Sequence, residues 1–207
     1  MTQPSDIFEK HCQDYCHQMA KIDFEAVKNT LGIEQDGEKM FIPFFSTRYA
    51  VSTAGIADIS GSKPDYAAFV ILAKYILLCP DQPYLNPEWV SFRDFKRTSH
   101  FTNVNFFSSD TERAMEKHFS GRMNKLEKAC EKMGGIPHKM ETAYDLSMQF
   151  QALPRVSLLL LFNDGDEEFA AKGTVLFQKQ AEYYLDPESL AITSAFLVRS
   201  LKMMSKE

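Results

Sequence analysis

Between residues 144 and 150 the chain alternates strictly, with apolar Tyr144, Leu146, Met148 and Phe150 separated by polar Asp145, Ser147 and Gln149. A period of two sends one row into a core and the other to the opposite face, so the pattern predicts a strand over 144–151. Leu153 and Pro154 break it. The run Val156–Phe162, with no polar residue after Ser157, predicts a partner strand buried on both faces. Asn163, Asp164 and Gly165 then give a turn, and Thr174–Phe177 a further short strand. Asp186, Pro187 and Glu188 supply cap, proline and first-turn acid for a final helix, with Leu185 and Leu190 spaced to close it as a hydrophobic staple.

The amino-terminal half is more helical in pattern. Ser5 or Asp6 is placed to cap a first helix whose apolar face is Phe8, Cys12, Tyr15, Cys16 and Met19, and Asp23 to cap a second that ends at Leu31 before Gly32. Met40–Phe45 and Arg48–Thr53 predict a hairpin about Ser46 and Thr47, with Pro43 at an edge or bulge. The helix Asp65–Leu78, with Pro64 suited to its first turn, is apolar almost all round and reads as the central helix. Beyond a proline-punctuated loop from Cys79 to Pro87, Asn86 and Pro87 predict a short helix carrying Trp89, Phe92 and Phe95. Ser109 and Glu112 have capping-box spacing ahead of an amphipathic helix with the stripe Met115, Phe119, Met123, Leu126, Cys130 and Met133, stopped by Gly134 and Gly135.

Helices, hairpin, helices, strands and helix follow one another without the strict alternation of a parallel sheet. The expectation is one α+β domain over residues 1–207, in which an antiparallel sheet packs against the helices beginning at Asp65, Asp110 and Pro187. With 44% hydrophobic residues, including 17 Phe, the chain can bury a substantial core unaided. A net charge of −5, from 28 acidic and 23 basic side chains, repels a phosphate backbone and argues against a nucleic-acid partner. No apolar run reaches the ~20 residues of a membrane span, and Asp6 and Glu9 stand where a signal peptide needs an apolar stretch. The expected setting is the cytoplasm, without a membrane partner. Cys12, Cys16, Cys79 and Cys130 then read as reduced thiols, the last two in apolar surroundings that suppress thiolate character.

Chemistry has few candidates. His11, Cys12, Cys16 and His17 form a soft-ligand cluster, but on a helix only Cys12 and Cys16 share a face, so a closed metal site needs ligands from elsewhere and packing beside Phe8 and Met19 is the simpler account. Asp164, Asp166, Glu167 and Glu168 crowd four carboxylates beyond a buried strand, which suits a divalent cation or a raised carboxyl pKa as well as an ordinary solvated loop. Phe169 is placed to anchor that loop to the core. It is no EF-hand, because Phe169 and Val175 occupy the positions that need glycine and glutamate. Asp145, Ser147 and Gln149 can line a cleft if something covers their sheet face, and His138 approaches the same strand. His100 and His118 have no visible partner, so no nucleophile and base can be paired.

The segment Leu153-Pro154-Arg155-Val156, the apolar run to Phe162, Asn163-Asp164-Gly165-Asp166-Glu167-Glu168-Phe169, Leu176-Phe177 and Tyr184-Leu185-Asp186-Pro187-Glu188-Ser189-Leu190 resembles the family called domain of unknown function 3786. The region of Tyr49, the helix at Phe69–Leu78, and Trp89 with Phe92 are similar to it as well. The resemblance implies membership of a group found mainly in anaerobic bacteria and archaea, some of whose members are joined to four-iron four-sulfur modules. This chain lacks a cluster-binding cysteine module, and Ser157 and Ala170 stand where prolines are expected. The family offers no catalytic residues and names no cofactor. The expected function is a ligand- or partner-binding accessory module in anaerobic redox or cofactor metabolism, with its cleft near the acidic turn. The alternatives are a metal-assisted hydrolase, in which Asp166, Glu167 or Glu168 holds a cation and Asp145 or His138 moves protons, and a structural interaction subunit.

Overall fold

The alternating strand is β7, Leu146–Leu153, and it pairs antiparallel with β8, Val156–Asn163, which pairs in turn with β9, Lys172–Gln178. Short edge strands complete a five-stranded sheet: β5, Trp89–Ser91, beside β9, and β6, Ile136–Pro137, beside β7. The structure, a computed structural model, describes residues 4–37, 39–52, 55–95, 103–139 and 144–206. The side chains of Ser5 and Asp6, and residues Thr53 and His100, lie outside the described part. Register puts Met148 opposite Leu160 and Phe177 opposite both Leu158 and Val90, so one face presents a continuous apolar surface. Every residue from Val156 to Phe162 is buried, as a strand covered on both faces requires.

A second antiparallel sheet, four strands in sequential order, holds β1 (Glu34–Asp36), β2 (Lys39–Phe44), β3 (Thr47–Ser52) and β4 (Gly55–Asp58). Its hairpin turns at Phe45 and Ser46, one residue earlier than the sequence suggested, and Phe45 adopts a left-handed φ of 50°. That conformation is disfavoured for a large side chain, and tertiary contacts hold it in place. The Phe45 ring stacks on Phe196 at 5.7 Å, and its amide donates to the carbonyl of Ala152 at 2.9 Å, which ties the small sheet to the bulged end of β7. Met40, Ile42 and Phe44 point inward, and one hydrophobic cluster runs from them through the large sheet.

The helices cover the apolar faces. α1 is Pro4–Met19; α2, Phe24–Leu31, is capped by Asp23 and closed by Gly32 at φ 68°, as its sequence dictates. α3, Tyr66–Leu77, is buried along most of its length and capped by Asp65, whose carboxylate accepts from the Ala68 amide at 2.8 Å. Pro64 therefore stands just outside the helix rather than in its first turn. α7, Pro187–Met204, opens on Asp186, which accepts from the Ser189 amide at 2.8 Å.

Two helical expectations fail. Asn86 and Pro87 start no helix: Trp89–Ser91 pair with β9, and Ser91 and Asp94 then cap a single 3-10 turn, Phe92–Asp94. Pairing with a buried neighbour outweighs the local start signal. Nor does a helix begin at the Ser109–Glu112 box. A helical path starts earlier with α4, Asn103–Phe107, and passes through a wide π-type turn at Ser108–Glu112 into α5, Arg113–Phe119. Ser109 is thus interior and donates back to the Phe106 carbonyl at 3.2 Å, while Glu112 lies half-buried toward β9. The predicted stripe stays buried apart from half-buried Met123, but the helix breaks at Ser120–Arg122 and resumes as α6, Met123–Lys132. Gly121, at φ 68°, makes that corner.

Candidate functional site

The acidic turn is held by its own backbone. Asp166 accepts from the amides of Glu168 (2.8 Å) and Phe169 (2.7 Å), and its amide donates to the Phe169 carbonyl at 2.9 Å. These bonds hold the Asp166 carboxyl below its ordinary value, the Phe169 amide first and the Glu168 amide next, so it is a fixed carboxylate rather than a group poised to exchange protons near neutrality. Phe169 does not anchor the loop: its side chain is 70% exposed, because the Asp166 bonds shape the turn without it. Asp145 and Asn163 cross-link the ends of β7 and β8, with Asp145 donating its amide to Asn163 Oδ1 at 3.1 Å and accepting from the Asp164 amide at 2.8 Å. Asp164 in turn accepts from Gly165 at 2.8 Å and from Gly121 at 2.7 Å, which braces the α5–α6 corner. Glu167 and Glu168 are exposed. Asp145 and Asp164 are thus brought together, while no group of three or more His, Cys, Asp or Glu converges as a metal site among the described residues.

His138 lies elsewhere. Its amide donates to the Ser147 carbonyl at 3.0 Å, which continues the β6–β7 pairing and puts it on the second face of the large sheet. Its ring meets Trp89 edge-on at 5.7 Å between centroids. β5 and β6 are the opposite edges of this sheet, so the contact between the two rings spans that face. Leu159 and Leu161 beneath them are buried, and the Ser147 hydroxyl is buried without a partner among the described residues. The polar row of β7 therefore does not lie on an open face.

Two concavities lie along α1. One groove of about 550 Å³ has Cys12 and Cys16 of α1 on one wall, Ile56 and Phe69 at its base and Lys63 at its rim. A second hollow, about 420 Å³, shares Tyr66 with it and gathers His11, Asp14, Lys74 and Asp186. Sequence spacing positions both: Cys12 and Cys16 fall one turn apart on the face of α1 that packs toward α3, where Tyr15 meets Phe69 at 6.5 Å and Phe8 meets Tyr66 at 4.5 Å. His11 Nδ1 and the Tyr66 hydroxyl are hydrogen-bonded at 3.0 Å. Burial raises both thiols above their ordinary range against the pull of Lys63, with Cys16 also raising Cys12, so they line the wall as neutral, polarizable groups. Lys74 binds Asp186 at 2.7 Å with Glu188 at 3.8 Å. Burial opposes both charges, yet the pair raises Lys74 and, with the Ser189 amide, lowers Asp186, fixing a zwitterionic end to the hollow. Lys74 was invisible as a site residue because it is the one cation in an otherwise apolar helix, and its partner is 112 positions away.

Fold and site together define an α+β scaffold with a preformed amphipathic groove. The chain belongs to the family Domain of unknown function (DUF3786), whose model matches residues 23–200. Neither a curated protein nor a solved structure matches it. α1, which forms one wall of the groove, precedes the matched residues. No helix among the described residues is long and apolar enough to cross a membrane.

Proposed function

We propose that this chain is a ligand-binding accessory module, cytosolic and serving the anaerobic redox or cofactor metabolism that its family resemblance implies, and that it binds through the groove between α1 and α3. The observation that carries this reading is the composition of that groove, an apolar base of Ile56 and Phe69 with two neutral thiols, beside a hollow that shares Tyr66 with it and whose polar end is fixed by the Lys74–Asp186 pair. Such a surface suits an organic molecule with an apolar body and a polar end. The acidic turn supports a hydrolase reading less well, since Asp145, Asp164 and Asp166 already accept from backbone amides and His138 lies beside Trp89.

Anilinonaphthalene sulfonate, an apolar ring system with an anionic end, is the test probe. The full chain is expected to bind it saturably at one site. Ala20, exposed at the groove margin, can be enlarged without touching the core, so Ala20→Trp should weaken the dye by at least about tenfold while leaving the melting temperature in place. Absence of saturable binding, or equal binding by Ala20→Trp, would remove the groove as the ligand surface and leave a structural interaction subunit as the better account.

A further inference from the structure

On a different surface, the corner braced by Asp164 concentrates positive charge in a chain whose net charge is −5. Arg113 and Lys117 of α5, Arg122 at the corner, Lys125 of α6, and Lys202 and Lys206 at the end of α7 gather about His118. Three hollows of about 420, 370 and 190 Å³ adjoin there, and Arg122 lines all of them. None of the six cations makes an ion pair among the described residues, whereas Lys28, Arg48, Lys74, Lys179 and Arg199 all do.

Helix ends explain only part of this. Lys117 and Lys202 occupy last turns, where the dipole favours cations. Arg122 and Lys125 stand at the start of α6, the unfavourable end, and that helix has no acid in its first turn and no side-chain cap. Several acids on the same elements are held by other groups, while Glu127 and Glu131 are exposed further along α6, near Cys130. Glu116 accepts from the Gly173 amide at 3.0 Å, Glu112 bonds the Val175 backbone, and Asp164 is occupied by Gly121 and Gly165. Like charges at 113 and 117, and at 202 and 206, repel along their helices. The fold retains that repulsion at one place, which fits a surface that is neutralised by something else.

We infer that this corner is a docking site for an acidic polypeptide segment. A single phosphate would be held by one convergent cradle, whereas these cations spread over three hollows. A nucleic acid would find no exposed phenylalanine, tyrosine or tryptophan ring among the described residues lining the hollows, where Phe119 is fully buried and the other ring is the His118 imidazole. A flexible run of carboxylates matches the spread and needs no stacking.

His118 adds a proton linkage to the site. The Ser205 hydroxyl donates to the Lys202 carbonyl at 2.9 Å, so its oxygen accepts from His118 Nε2 at 3.2 Å, and Nδ1 is the position left to take a proton. Burial first, then Lys202, Arg122, Lys206 and Lys125, hold the imidazole below its ordinary value and therefore neutral at pH 7. An anion beside it reverses the effect of those cations, so docking takes up a proton and strengthens as pH falls into the range where the imidazole protonates.

The experiment is fluorescence anisotropy of labelled oligoglutamate with the full chain at about 50 mM salt. Binding should saturate, weaken steeply with added salt, and fall at least about tenfold in Lys117→Glu/Lys125→Glu, both exposed positions. Lys39→Glu, exposed on β2, should leave it unchanged, and His118→Gln should flatten the pH dependence. Lys206→Glu, a single exposed change, provides a second reading if the double variant melts early. No binding of oligoglutamate overturns the inference, as does equal binding by the Lys39 and corner variants, or tighter competition by inorganic phosphate or oligothymidylate. None of these outcomes depends on the dye-binding groove.

Discussion

Phe177→Ala should cost about 3–5 kcal/mol of folding stability, which for a chain of this size lowers the melting temperature by roughly 10–15 °C. The ring is fully buried and lies 5.7 Å from Phe95 and 6.1 Å from both Phe92 and Phe107, while Phe92 and Phe107 stack at 4.6 Å. It therefore joins β9 to the 3-10 turn and to α4, three pieces with little else in common. Its cross-strand partners Leu158 and Val90 are held in a tight register and cannot collapse far into the space left by the ring. Thermal denaturation followed by circular dichroism reads the effect. A loss below about 1 kcal/mol would mean that the aromatic cluster is not packed as described.

Tyr75→Phe should be the most damaging change of a single atom, at about 2–3 kcal/mol. The hydroxyl is buried, donates to the Leu31 carbonyl at 2.6 Å and accepts from the Arg155 amide at 3.2 Å. Burial pushes its pKa well up, so it remains a neutral donor at any working pH. Arg155 also binds the carbonyls of Thr30 and Asn29, both at 3.1 Å, so one node closes the end of α2 against α3 and the β7–β8 hairpin. Removing the oxygen leaves a buried carbonyl and a buried amide without their partner. Urea denaturation of the variant gives the cost directly, and an unchanged midpoint would show that neither bond matters.

Much of the scaffold is legible in sequence because local and global signals agree there. Asp23 and Asp186 each cap the helix they precede, and the β7–β8–β9 pattern specifies its own pairing. Legibility ends where a distant contact decides. Trp89 becomes a strand residue only because β9 is there to pair with it, and Gly121 turns a continuous buried stripe into two helices, a break that the glycine alone could have signalled. The acidic turn was the conspicuous cluster, yet two of its four carboxylates, Asp164 and Asp166, serve the backbone. The groove was half visible: the Cys12–Cys16 face is written in α1, but its opposite wall comes from β4 and α3, and the Lys74–Asp186 pair spans most of the chain.

The claim that this chain binds through the α1–α3 groove, and not at the acidic turn, is tested most directly by mapping amide chemical-shift changes in the labelled full chain on addition of anilinonaphthalene sulfonate and, separately, of magnesium and zinc. The account predicts dye-dependent shifts confined to the faces of α1, β4 and α3 that line the groove, and no saturable cation-dependent shifts at 145 or 164–168. Saturable shifts at the acidic turn with an unmoved groove would contradict it.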